Sequence, residues 1–158
     1  MKTLHDFSIK SIEGNDIDFS EYKGKKVLLV NVASKCGYTP QYAQLQELSE
    51  NAVDQLVVVG LPCNDFGGQE PDGESVIQDF CQVRYGVTFP LTEKVGITKN
   101  THPIYEWLTQ KSENGVKDTK VTWNFYKFLV DENGQLLNDY SSGVTPLDEV
   151  LLEAVGIV

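Results

Sequence analysis

Two apolar runs, "KKVLLVNVA" at 25–33 and "DQLVVVGLP" at 54–62, constrain this chain more than any other feature. Each is β-branched or aliphatic at nearly every position, the pattern of a strand covered on both faces. Both are therefore read as central strands. Between them, "TPQYAQLQELSENA" opens with Thr39 as an N-cap and Pro40 at the first helical position, with Tyr42, Leu45 and Leu48 at helical spacing. A buried strand, a helix and a second buried strand predict a parallel βαβ unit.

The rest of the chain adds to that unit. A strand or hairpin is expected near "HDFSIKSIEGNDIDF", and "ESVIQDFCQVRY" and "THPIYEWLTQK" read as helices. "FYKFLVD" and "QLLNDYS" flank Asn133-Gly134, a strong hairpin signal. The last helix, "TPLDEVLLEAV", is expected to start with a capping box of Thr145 and Asp148 and to bury Leu147, Val150, Leu151 and Ala154. This order of elements predicts an α/β thioredoxin-like fold, a central mixed β-sheet with helices on both faces. The 158 residues, without repeat or linker, are read as one domain, 1–158.

Charge narrows the partners. A formal net charge of -10 repels phosphate backbones and anionic lipid heads, so neither nucleic acid nor a stable membrane association is expected. No apolar run approaches spanning length and "MKTLHDFSIKSIEG" lacks a signal-peptide core, which makes cytoplasmic residence the expectation. Three cysteines, Cys36, Cys63 and Cys81, leave at least one thiol free, and their spacing fits no common zinc site. Neither a metal nor a cofactor is expected.

Cys36 draws attention because it follows the first strand and precedes a helix, where sites of open α/β sheets collect. The helix N-terminus and the adjacent Lys35 favour a thiolate, whereas the plain alternative is a buried core cysteine. Thr39 stands where a C-x-x-C oxidoreductase needs its second cysteine, so "CGYT" cannot close a local disulfide. Peroxide reduction needs only one thiolate at first: sulfur attacks the O–O bond and becomes a sulfenic acid.

The motifs "NVASKCGYTPQY", "LPCNDFGGQEP", "FCQVRYGVTFP" and "WNFYKFLVD", in this order, closely resemble the glutathione peroxidase family over essentially the whole chain. The resemblance implies a peroxidatic residue at Cys36, with Gln69, Trp123 and Asn124 completing the site. Amide N–H groups of Gln69 and Asn124 and the indole N–H of Trp123 would stabilise charge on the sulfur and the departing oxygen. It further implies that Cys81 is a resolving cysteine, as in thioredoxin-using members. A helical Cys81 would have to leave its helix to form the bond. Cys63 is expected to pack, Asn64 to help orient the site, and His102 to start a helix.

Leu61 and Asp65 depart from the family's usual phenylalanine and glutamine. The loop used for tetramer assembly is missing, and the resemblance then implies a monomer or weak dimer, the monomer being expected. Arg84 is the only arginine, so thioredoxin rather than glutathione is the expected reductant. Expected substrates are hydrogen peroxide and organic hydroperoxides. A peroxide sensor relaying oxidation to a partner protein and a glutathione-dependent peroxidase are the alternatives.

Overall fold

A computed structural model describes residues 1–157. A short antiparallel hairpin, β1 (Ser8–Lys10) and β2 (Asp16–Asp18), precedes β3 (Lys26–Val32), and α1 (Gln41–Asn51) leads to β4 (Leu56–Pro62). There follow α2 (Glu74–Tyr85), α3 (Pro103–Thr109), the single turn α4 (Lys111–Asn114), the hairpin β5 (Lys127–Val130) and β6 (Leu136–Tyr140), and α5 (Glu149–Val155). The four-stranded sheet runs β4-β3-β5-β6. β3 and β4 are parallel, from Lys26 opposite Leu56 to Val32 opposite Pro62, while β5 and β6 join antiparallel.

Period-two alternation along β3 divides the core. Leu28, Val30 and Val32 meet Tyr42, Leu45 and Leu48 of α1 and Leu151 of α5 on one face. Val27 and Leu29 meet Ile104, Tyr105 and Leu108 of α3 on the other. The fold is the expected mixed sheet with helices on both faces.

One strand differs from expectation. β4 lies at the sheet edge, yet its sequence reads as buried because the segment 90–92 covers that edge. Gly60 N donates to Pro90 O at 2.9 Å and Thr92 N donates to Gly60 O at 2.9 Å, satisfying groups an open edge would expose. Gly60 permits this approach: a Cβ there would stand 2.8 Å from Leu91 Cδ2.

The two helix starts written Thr-Pro are also corrected. At α5 the capping oxygen is that of Asp148, which accepts from Val150 N at 3.0 Å, so the helix begins at Glu149 rather than at Thr145. The carbonyl of Thr145 serves the preceding turn, accepting from Asp148 N. Starting later rotates the buried stripe onto Leu151 and Val155 and leaves Val150 exposed. α1 starts at Gln41, and Thr39 is not its cap.

Candidate active site

Cys36 sits in the bend between β3 and α1. The chain reaches the helix through tight i→i−3 bonds, Thr39 N to Cys36 O at 3.0 Å, Gln41 N to Tyr38 O at 2.8 Å and Tyr42 N to Thr39 O at 3.0 Å. Thr39 is drawn into this bend. Its Oγ1 accepts from Cys36 N at 2.8 Å and donates to Ala33 O at 2.8 Å, clamping the loop from inside.

The sulfur itself accepts from Tyr38 N at 3.3 Å, a contact that strengthens when the acceptor carries charge. Cys36 is buried, only 8% exposed. Two expected sources of positive field are displaced. The first residue of α1 is five positions on, and Lys35 turns its ammonium to Asp72 at 3.6 Å. What faces the sulfur is the backbone N–H of Tyr38.

The loop after β4 brings Gln69 to this bend. Lys35 N donates to Gln69 O at 3.1 Å, and Asn64 Oδ1 accepts from Glu70 N at 2.9 Å, so Asn64 holds the loop as expected. Gly67 has φ +71°, and a Cβ on it would lie 2.8 Å from Trp123 Cη2: the glycine lets the indole lie against the loop. Trp123 also meets Phe66 edge-on at 6.3 Å and is half-buried against the core that contains Cys36.

Asn124 is fully buried and has a different role from the one expected. Its Nδ2 donates to Phe66 O at 3.1 Å and to Gln69 Oε1 at 3.0 Å. Phe66 O can only accept, so the atom facing it must be nitrogen, and the Gln69 atom facing that nitrogen must be oxygen. Both Asn124 N–H groups are therefore committed. What Asn124 does is hold Gln69 by its oxygen, leaving the Gln69 NH₂ free to donate elsewhere.

Comparison with known proteins gives the family of the chain. Residues 4–109 match the family profile described as Glutathione peroxidase. The chain belongs to the glutathione peroxidase family. It is 44% identical to the hydroperoxy fatty acid reductase gpx1 of Synechocystis over 157 aligned positions, covering 94% of this chain and 91% of that protein. It is 45% identical to the glutathione peroxidase-like peroxiredoxin gpx1 of Schizosaccharomyces pombe, covering 90% of each. Among solved structures, apo Trgpx superimposes with a TM-score of 0.73 at 34% identity, covering 98% of this chain and 95% of that one. A thioredoxin-family thiol:disulfide interchange protein from Chlorobium tepidum, at TM-score 0.64 and 18% identity, shares the fold, covering 95% of this chain and 93% of its own. Membership makes this chain a thiol-based peroxidase.

The peroxidase keeps its other two thiols inside. Cys63, at the end of β4, is fully buried, and burial pushes its thiol up to about 12, consistent with the packing role expected of it. Cys81 is fully buried in the middle of α2 beside the Tyr42 phenol, and burial pushes it up to about 11. All three cysteines are free thiols. Cys36 and Cys81 share one core cluster.

Other residues settle into scaffolding. His102 Nδ1 accepts from Ile104 N at 3.1 Å and starts α3, and Leu61 is buried in the α3-side core. Asp65 Oδ2 accepts from Ile97 N at 2.7 Å and Thr98 N at 3.0 Å; burial alone would raise its carboxyl, and these bonds outweigh that and lower it. Arg84 is exposed in the last turn of α2.

Four buried groups near the site were not singled out from sequence: Asn31, Lys127, Ser142 and Glu70. Burial raises the Glu70 carboxyl and lowers the Lys127 ammonium to about 7. The signal for Asn31 and Lys127 is present in "VLLVNVA" and "FYKFLVD", where one polar residue interrupts an apolar strand and must find buried partners.

Proposed function

We propose that this peroxidase reduces hydrogen peroxide and organic hydroperoxides through Cys36 and resolves the product with Cys81. The Cys36 thiolate attacks the distal oxygen of ROOH; the O–O bond breaks, Cys36 becomes a sulfenic acid, and the alkoxide leaves as ROH after taking a proton. Gln69 and Trp123 donate hydrogen bonds to the sulfur and the departing oxygen, and Asn124 fixes the Gln69 amide. The observation that carries this reading is the Asn124 Nδ2 bond to Gln69 Oε1 at 3.0 Å, which orients a neutral donor at the loop stitched to the Cys36 bend.

In the second step the Cys81 thiol condenses with the sulfenic acid, giving a Cys36–Cys81 disulfide and water. The native environment opposes this. A thiol near 11 is ionised to only ~10⁻⁴ at pH 7, and a helical backbone fixes its Cα, whereas a disulfide demands a specific Cα and Cβ geometry. Local unwinding of α2 answers both difficulties. That helix fully buries only Ile77 and Cys81 among its 12 residues and is otherwise held to the core through the partly buried rings of Phe80 and Tyr85 against Tyr42, so unwinding would expose few fully buried side chains.

Thioredoxin then reduces the disulfide by exchange, its two thiols becoming oxidised. Arg84, exposed on α2, is the single arginine of the chain, so no cluster of arginines is available for the two carboxylates of glutathione. All the groups invoked come from one chain, which we take to act as a monomer. Among the described residues no helix is long and apolar enough to cross a membrane, and we place the enzyme in the cytoplasm.

Peptide mapping after one equivalent of hydrogen peroxide tests the cycle. A Cys36–Cys81 disulfide is the expected product. A Cys36 sulfenic acid that persists beside a free Cys81 thiol would transfer the resolving step to glutathione or to another protein.

A further inference from the structure

Trp123 and Asn124 lie in a kink whose construction is unusual. Phe125, the next residue, has φ +63°, a left-handed conformation that bulky side chains rarely take. Three consecutive carbonyls thereby turn away from any strand ladder, and each is held by a different buried side chain. Trp123 O accepts from Asn31 Nδ2 at 3.1 Å, Asn124 O accepts from Ser142 Oγ at 2.6 Å, and Phe125 O accepts from Lys127 Nζ at 2.7 Å.

The N–H groups beyond the kink are held as well. Phe125 N donates to Asn31 O at 2.6 Å and Tyr126 N donates to Asn31 Oδ1 at 3.1 Å. Ser142 O in turn receives Gln41 Nε2 at 2.8 Å from the first residue of α1, and Lys127 Nζ at 3.4 Å. The clamp thus reaches from the central strand, through the kink, to the helix that follows Cys36.

Stability does not explain this arrangement. Asn31 occupies the one polar position in the buried part of β3, and Lys127 is 0% exposed. Among the described residues no carboxylate forms an ion pair with Lys127. A buried lysine without a counter-charge, whether it keeps its proton or gives it up on folding, lowers stability relative to an apolar side chain of the same length. Backbone strain and costly burial persist where the surrounding structure has a use for the geometry.

We propose that Asn31, Lys127 and Ser142 are positioning residues of the peroxidase, fixing the indole of Trp123 and the amide of Asn124 by holding the backbone carbonyls of the 123–125 kink. The proposal rests on the reading of Trp123, Asn124 and Gln69 as the groups around the Cys36 sulfur. It adds that their placement is enforced through the main chain that carries them. None of the three side chains needs to touch peroxide.

Lys127→Met tests it, because that change keeps the stem, removes the bond to Phe125 O and relieves the buried charge. Ser142→Ala is the second variant, removing the bond to Asn124 O. Three quantities are measured: thermal stability, the single-turnover rate of Cys36 oxidation by hydrogen peroxide, and the indole N–H resonances. The two tryptophans give one resonance each, and Trp107, whose Nε1 donates to Lys2 O at 2.9 Å, serves as the internal reference.

The expected result is a melting temperature for Lys127→Met at or above that of the parent, an oxidation rate lower by on the order of tenfold, and a shifted Trp123 resonance beside an unmoved Trp107 resonance. Ser142→Ala is expected to lower the rate and shift the same resonance. A rate within about threefold of the parent in both folded variants overturns the proposal, as does a slower rate with the Trp123 resonance in place. Trp123→Phe and Asn124→Ala are run beside them. If those two also oxidise at the parent rate, the active-site reading itself fails; if they are slow while both clamp variants are fast, only the clamp fails.

Discussion

Lys127 makes the stability of this protein depend on pH in a direction opposite to that of its buried thiols. Burial lowers its ammonium from 10.5 to about 7 in the folded state. In the unfolded chain the lysine regains its ordinary value. Between those two values the unfolded state holds the proton and the folded state does not, so stability rises with pH across that window. Below about pH 6 both states are protonated and the dependence vanishes. Each tenfold loss of proton affinity on folding is worth about 1.4 kcal/mol, which puts the full effect on the order of 5 kcal/mol. About 2 kcal/mol of it should appear between roughly pH 7 and pH 9, where urea unfolding is readily measured.

Other groups titrate over the same range, notably Cys63 and Cys81, whose raised thiols make stability fall as pH rises through the ordinary thiol value. The variant Lys127→Met removes only the lysine contribution, so the difference between the two proteins isolates it. The variant should be the more stable protein at pH 6, and its advantage should shrink steadily above pH 7. A gap that stays constant within about 0.5 kcal/mol from pH 6 to pH 9 would refute the reasoning, because it would mean that Lys127 keeps its proton in the folded state.

Replacing Cys36 by Ser should abolish peroxide consumption while leaving the melting temperature nearly unchanged; turnover retained by this variant would remove Cys36 from the chemistry. Cys81→Ser should oxidise at the parental single-turnover rate yet stop at the sulfenic acid, visible as a mass gain of one oxygen. Asn124→Ala frees the Gln69 amide and leaves Phe66 O without its donor, so oxidation should slow by about 10²-fold and stability fall by about 1–3 kcal/mol. Gly67→Ala combines a φ of +71° with a Cβ 2.8 Å from the indole, and should cost about 1–3 kcal/mol and alter the Trp123 emission. Equal stability to the parent in that variant would show that the loop and the indole move apart freely.

How far the sequence specifies this enzyme depends on the range over which each signal acts. β3, α2 and the β5–β6 hairpin were legible because a buried run, a helical period or an Asn-Gly turn is contained within a dozen residues. The edge position of β4 was not, since a strand edge covered by 90–92 and a strand paired on both sides bury the same side chains. Thr39 shows the same limit on a smaller scale. A threonine before a proline has the composition of an N-cap, but its hydroxyl found better partners in Cys36 N and Ala33 O, within the same loop.

The active site divides in the same way. The resemblance names Cys36, Gln69, Trp123 and Asn124 as the proposed site, but how Asn124 and Gln69 bond to each other could not be read from it, because that turns on which atom of Asn124 faces Phe66 O. A carbonyl contributed by the backbone has no sequence signature. It nevertheless forces the amide nitrogen of Asn124 inward, which forces the oxygen of Gln69 to meet it, and so decides which end of Gln69 is left free to donate. The polar residues beneath the kink follow the same logic: once Phe125 takes a left-handed turn, three main-chain carbonyls need donors, and an asparagine, a serine and a lysine inside an apolar core become intelligible as the groups that supply them.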